Sequence, residues 1–207
     1  MAEKQTLRMI LPLEQLPAFF PLLQRGVWLQ AEVGCSVMSL LTCQFGVGED
    51  YVIERITTLF LDYKPVDDPE SSYVNDGSTI ALSSAMPGLV GATMRRGGHL
   101  AAMRGTISHQ GQQQQKAYTG KVRIKLFNMV MAELGATFLA QGVLLSSDGL
   151  RTLLDEQGDS FWQSFGTAIL GSRQIDPASL KNKIHLSEPT DEIMLKVEFK
   201  VESDRSD

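Results

Sequence analysis

Few residues of this chain have the types and spacing that catalysis or metal binding requires. The adjacent carboxylates Asp67 and Asp68 are suited to binding a cation or to exchanging a proton, but an Asp-Pro turn explains them better. The histidines, His99, His109 and His185, are not spaced as zinc ligands from one another or from a cysteine. Motifs of serine hydrolases, phosphate-binding loops and dinucleotide-binding loops are absent from the sequence. The sequence therefore predicts no catalytic residue, no metal site and no cofactor.

The two cysteines, Cys35 and Cys43, lie eight positions apart in a segment with helical spacing. On a helix this separation is about 12 Å along the axis. It is too long for a disulfide. Both thiols are predicted to be buried and to act as small hydrophobic side chains.

The segment from Ala85 to Gly105 is the most unusual part of the chain, because it mixes apolar residues, glycines and three arginines. The arginines are Arg95, Arg96 and Arg104. This mixture is typical of a helical arm that packs on another domain or on a partner protein. Arginines beside glycine backbone can also bind a small anion. Inter-domain packing, partner binding and anion binding all stay open at this stage.

The bulk composition indicates an ordinary globular protein, with 43% hydrophobic and 21% charged residues among 207. The net charge of −5 argues against nucleic-acid binding, because phosphate contacts require a basic surface. Near the N-terminus Pro12, Glu14, Pro17 and Pro21 interrupt every apolar stretch, so neither a secretory signal nor a membrane span is predicted. We expect a cytoplasmic protein that binds neither nucleic acid nor membrane.

Similar short words recur in the same order in the two halves of the chain. Gly26-Val27 matches Gly142-Val143, and residues 58–71 parallel residues 167–179. Between the halves lies the glutamine-rich stretch HQGQQQQKAYT, whose composition cannot form a core. The sequence therefore predicts three parts: a module at 1–106, a linker at 107–119 and a second module at 120–207.

The same elements are predicted in each half. LRMIL and VRIKLF alternate polar and apolar residues, as half-buried strands do. The segments SVMSLLTCQF and SDGLRTLLDEQ have helical spacing, and Ser147 or Asp148 is predicted to cap the second helix. The predicted strands lie at 7–11, 26–30, 56–62, 76–82, 122–127, 142–146, 167–171 and 191–197. The predicted fold is α+β, with a mixed sheet of four to five strands packed on one helix in each half.

Several of these words resemble the β-grasp, ubiquitin-like sulfur-carrier family. The words are VRIKLF, DGLRTLL, AILGSRQID and DEIMLKVEF in the second half, and GCSVMSLL, TLFLDYKPVDD and VNDGSTIAL in the first. The resemblance covers most of residues 7–84 and 121–201. It implies two tandem β-grasp modules and a link to sulfur transfer or to molybdenum or tungsten cofactor pathways.

Carriers of that family act through a free C-terminal Gly-Gly, whose carboxylate is adenylated and converted to a thiocarboxylate. This chain ends in VEFKVESDRSD, so the intact protein is not expected to be a carrier. However, Gly97 and Gly98, which follow two arginines, resemble the tail of ubiquitin-like modifiers. Cleavage after Gly98 would expose a terminus of the carrier type.

Three functions follow from the sequence. The first is a non-catalytic binding or assembly module, which recognises a protein partner or another copy of itself. The second is a precursor of a sulfur carrier or modifier that is processed after Gly98. The third is an enzyme with a cleft between the modules, lined by Arg95, Arg96 and Arg104. The missing catalytic residues favour the first.

Overall fold

The computed structural model describes residues 5–104, 107–109, 116–182 and 192–200, and within these ranges the chain has the predicted α+β fold. The strands are β1 Thr6–Pro12, β2 Val27–Val33, β3 Thr58–Leu61, β4 Lys64–Pro65, β5 Thr79–Ser83, β6 Tyr118–Phe127, β7 Val143–Leu145, β8 Thr167–Leu170, β9 Arg173–Ile175 and β10 Ile193–Lys200. The α-helices are α1 Phe20–Arg25, α2 Val37–Ser39, α3 Gly88–Met94, α4 Met129–Gln141, α5 Ser147–Asp155, α6 Asp159–Gln163 and α7 Pro177–Lys181. The 3₁₀ helices are Leu13–Phe19 and Ala101–Arg104, and the π-helical turns are Leu40–Gln44 and Tyr51–Arg55.

The chain divides into two compact units, which do not follow the two halves of the sequence. A continuous unit comprises residues 23–134, and a discontinuous unit comprises residues 1–22 and 135–207. The tandem β-grasp arrangement is not confirmed, because each unit takes its strands from both halves of the sequence. The module boundaries at residues 106 and 120 stay predictions. Residues 110–115 of the glutamine-rich stretch lie outside the described residues.

The continuous unit contains the strand order β4-β3-β5-β6-β2. The central strands β5 and β6 are parallel, and the three other neighbouring pairs in this order are antiparallel. Alternate residues of these strands are buried on one face, among them Val27, Leu29, Leu59, Leu61, Ile80, Leu82, Val122, Ile124 and Leu126. Burying each such side chain contributes about 1.5–3 kcal/mol. This face forms the core of the unit, and the helical segment 37–44 contacts it at β2.

The discontinuous unit contains the strand order β7-β10-β1-β8-β9. Its parallel pair, β1 with β10, joins the start of the chain to its last described strand. Helix α5 buries Leu150, Leu153 and Leu154. The prediction that Ser147 or Asp148 caps this helix is wrong. Ser146 caps it, because Ser146 is the last extended residue and its Oγ accepts the N–H of Gly149 at 3.0 Å.

Candidate binding site

The second face of the sheet in the continuous unit carries a mixture of aromatic, small and basic side chains. Because successive residues of a strand point to opposite faces, the residues that alternate with the buried ones lie on this second face. Those of neighbouring strands are paired in register. Row by row, this face carries Thr58, Ser83 and Phe127, then Phe60, Ala81 and Lys125, and then Thr79, Arg123 and Trp28. The aromatic rings and the cationic side chains are therefore direct neighbours.

A groove of about 360 Å³ lies on this face, and we call it the sheet groove. Its apolar walls are formed by Phe60, Tyr63, Ala81, Met86, Pro87 and Phe127. Among the described residues that line it, Lys125 is the charged one. Tyr63 lies at a positive φ of 67° in the turn after β3 and is 78% exposed. The groove thus presents an accessible aromatic ring beside an amine.

Two small structural features keep the basic side chains of β6 on this face. A Cβ atom at Gly26 would lie 2.7 Å from Cγ of Lys125 and 2.8 Å from Nε of Arg123, so only glycine leaves room for their stems. Arg123 donates from Nη2 to the carbonyl of Arg25 at 2.7 Å and lies 5.9 Å from the ring centroid of Trp28. This distance is within the range of a cation–π contact.

Residues 85–104 and 107–109 form the described part of the arm, which begins where β5 ends. Arg104 is 2% exposed, and it holds the arm in place. Its guanidinium donates to both carboxylate oxygens of Asp67, at 2.6 and 3.0 Å, and to the carbonyl of Thr93 at 2.5 Å. It also donates to Ser108 Oγ at 2.9 Å and to the carbonyl of Arg95 at 3.3 Å. Arg104 and Asp67 therefore serve each other rather than a ligand.

Arg96 makes a second anchor. Its backbone N–H donates to the carbonyl of Thr57 at 2.8 Å, and its Nη2 donates to the carbonyls of Val52 and Ile56, the latter at 2.5 Å. These carbonyls belong to the end of a helical turn, where acceptors lack intrahelical partners. Burial lowers the pKa of Arg96 below its ordinary value. The guanidinium thus satisfies carbonyls that would otherwise be unpaired.

A second cavity, of about 750 Å³, lies between the arm and the start of β3, and we call it the arm cavity. Four of the five residues singled out from the sequence line it together: Arg95, Arg96, Gly97 and Gly98. Arg104 is not among its lining residues. Thr57 and Thr58 line it from the sheet side, and neither was expected there from the sequence. Their only sequence signal is a polar pair at the head of an apolar strand.

One further cluster joins Tyr51, Arg55 and Glu133. Nε of Arg55 donates to both carboxylate oxygens of Glu133, at 3.1 and 3.2 Å, and the Tyr51 hydroxyl donates to the same carboxylate. Hydrogen bonds from Arg55 and Tyr51 lower the pKa of Glu133 to about 2. Burial and this carboxylate raise the pKa of Tyr51. The sequence does not reveal the cluster, because Glu133 lies 82 positions after Tyr51 and 78 after Arg55. None of the three lines the sheet groove or the arm cavity.

Potential metal ligands and the two thiols are the remaining groups that the sequence brought into question. In the part of the chain that the structure describes, no group of three or more potential ligands is placed to hold a metal ion. Cys35 is half-buried and its burial raises the pKa of the thiol, whereas Cys43 is exposed. The prediction of a buried thiol is thus wrong for Cys43, whose helical turn directs it away from the core. His185 lies outside the described residues.

The described helices include none that is both long and apolar enough to cross a membrane. No family model, curated protein or solved structure matches this chain. The resemblance to sulfur carriers therefore stays a prediction from the sequence.

Proposed function

We propose that this protein is a non-catalytic binding module, which holds an apolar segment of a partner protein in the sheet groove. One observation carries the proposal: Phe60, Phe127 and the exposed ring of Tyr63 lie together beside Lys125. Accessible aromatic side chains grouped in this way are enriched in the core of protein interfaces.

The chemistry of the groove defines the partner. Apolar walls favour an apolar anchor side chain, while Lys125 and its neighbour Arg123 favour an acidic residue beside that anchor. The protein itself is acidic overall, with a net charge of −5, so this pair of basic side chains on β6 is a local feature. We therefore assign the groove to a partner segment in which an aliphatic or aromatic residue is flanked by Asp or Glu.

The arm extends the apolar surface of the continuous unit. Leu89 is 72% exposed, Val90 is 63% exposed and Met103 is 73% exposed. Clustered exposure of this kind on a globular protein is typical of an interaction surface. A β-grasp fold for the continuous unit, and with it a role in sulfur transfer or in molybdenum or tungsten cofactor pathways, is part of the proposal. It is supported by a mixed five-stranded sheet with a helical segment after β2.

The carrier alternative receives less support from the contacts of β6. This strand pairs with β2 from Val27 to Val33 and with β5 from Thr79 to Ser83. A fragment released by cleavage after Gly98 would lose β6 and expose the edges of both strands. It would also lose Arg104, the main anchor of the arm. Intact mass spectrometry of the protein from its native host tests this, since a single species near 22.8 kDa excludes processing.

The binding proposal is tested by placing a photo-crosslinking residue at Tyr63 in the full chain and identifying the captured protein by mass spectrometry. Binding of that protein is then measured with Lys125→Glu and with Phe60→Ser. We expect each change to weaken binding at least tenfold, because one removes the charge complementarity and the other an apolar wall.

Tyr118→Ala is the matched control, since Tyr118 is 46% exposed on the same strand as Lys125 but does not line the groove. It should leave the affinity unchanged. Capture of single-stranded RNA, or of a second copy of this chain alone, would overturn the assignment of the partner. Equal binding by all three variants would show that the sheet groove is not the binding site.

A further inference from the structure

The arm cavity contains a buried hydroxyl with nothing to bind. Thr58 is 1% exposed and lines the cavity, and its Oγ1 has no hydrogen-bond partner among the described residues. Its neighbour Thr57 is different, because that hydroxyl donates to the carbonyl of Ser84 at 2.7 Å. Buried polar groups in native proteins are almost always paired. An orphan hydroxyl in a cavity is therefore a candidate contact for a ligand.

A second unpaired donor lies in the same cavity wall. Nε of Arg96 is buried and lacks a partner in the described ranges, although Nη2 of the same side chain is fully engaged. The exposed Arg95 also lines the cavity, and no Asp or Glu is found among its lining residues. The cavity lining therefore offers hydrogen-bond donors and positive charge, and among the described residues it includes no carboxylate of its own.

We infer that the arm cavity binds a small organic anion. A carboxylate or phosphate group of this ligand accepts hydrogen bonds from Oγ1 of Thr58 and Nε of Arg96, and the exposed Arg95 contributes charge. The remaining walls include Ala85, Met86, Ala92 and Leu100, which favour a short apolar tail. A volume of about 750 Å³ is in the range of small-molecule sites.

The state of Arg96 agrees with an anionic ligand. Burial lowers the pKa of this guanidinium because its charge has lost water, and Asp67 compensates only in part. An oxyanion at Nε would supply the missing counter-charge and the missing acceptor in one contact. This inference is independent of the sheet groove, since it concerns a different cavity and a different class of ligand.

The experiment is a titration of the full chain, followed by NMR and calorimetry, with three probes that carry the same six-carbon alkyl tail: heptanoate, hexyl phosphate and hexanol. We expect at least one of the two anions to bind at least tenfold more tightly than hexanol. Whichever anion binds more tightly identifies the head group as carboxylate or phosphate. Inorganic phosphate, as a fourth probe, distinguishes binding of the head group alone from binding that needs the tail.

Thr58→Val is the decisive variant, because it is nearly isosteric and deletes only the unpaired hydroxyl. We expect it to weaken binding of the anion about tenfold while leaving the melting temperature of the ligand-free protein unchanged or higher. Thr167→Val is the matched control, since Thr167 opens β8 as Thr58 opens β3, and it should bind the anion normally. Any of three results would overturn the inference: hexanol binds as tightly as both anions, neither anion binds at about 10 mM, or Thr58→Val binds the anion as tightly as the unchanged protein.

Discussion

The arginines of the arm show how one residue type serves different purposes a few positions apart. Arg104 is fully occupied by Asp67 and by backbone carbonyls, Arg96 is partly occupied, and Arg95 is exposed. A guanidinium has the same hydrogen-bond donors whether it binds groups of its own chain or binds a ligand. The sequence therefore identifies this segment but cannot sort its arginines by role.

Replacing Arg104 tests its role as an anchor. Arg104→Ala should lower the free energy of unfolding by about 1.5–3 kcal/mol, because a buried charged donor and its several hydrogen bonds are lost. Asp67 is about half exposed, so its carboxylate can return to water, which keeps the loss below that of a fully buried ion pair. Urea denaturation of the purified protein measures this difference.

Arg95→Ala is the control for Arg104→Ala, since Arg95 is exposed and its side chain forms no hydrogen bond or ion pair with the part of the chain that the structure describes. It should change the free energy of unfolding by about 0.5 kcal/mol or less. Similar losses for both variants would mean that general charge, not the Asp67 contact, stabilises the arm.

At the scale of elements, the closure of the arm depends on Gly91 in α3. A Cβ atom there would lie 1.9 Å from the carbonyl oxygen of Met86, a distance that no real contact reaches. Alanine normally favours a helix over glycine by about 1 kcal/mol. In this helix the steric conflict with backbone outweighs that preference, because Met86 itself would have to move.

We expect Gly91→Ala to loosen the arm without unfolding the sheet. Hydrogen exchange of residues 86–104 should become faster, while the amides of β5 and β6 keep their protection. Gly48→Ala is a suitable control, because a Cβ at Gly48 meets nothing within 4 Å. Slower exchange in the arm of Gly91→Ala would show that helix propensity dominates and that α3 does not pack as described.

The elements themselves were largely predictable, since their signals are local. The alternation in VRIKLF predicted the core of β6, and the spacing in SDGLRTLLDEQ predicted α5. Helix α4 was not predicted, because its residues are apolar on most sides and show no clear polar face. The sequence could not predict the contact of Arg104 with Asp67 or the unpaired hydroxyl of Thr58, since both depend on how distant segments pack. The sequence thus located the arm but missed the threonines opposite it.

At the scale of the whole molecule, local patterns could not predict that the first strand of each half of the sequence pairs with strands of the other half. We call this the exchange of first strands. Strand β1 pairs with β10 over seven residues, and β6 pairs with β2 over seven and with β5 over five. An alternating strand satisfies its pattern equally well beside either set of neighbours. Similar first strands in the two halves make the exchange possible, because LRMIL and VRIKLF offer similar alternating faces.

This exchange makes a prediction about the halves as separate chains. A protease site inserted between Gln112 and Gln113 allows the folded protein to be cut once in its glutamine-rich stretch. We expect the two fragments to stay together on size-exclusion chromatography in native buffer and to separate in urea. The reason is that the fragment ending at Gln112 holds β1, which the strands of the other fragment need, and lacks β6, which its own strands need.

Each fragment expressed alone should lack a cooperative unfolding transition, and mixing the two should restore it. Two independent modules would behave in the opposite way: the fragments would part without denaturant and each would unfold cooperatively by itself.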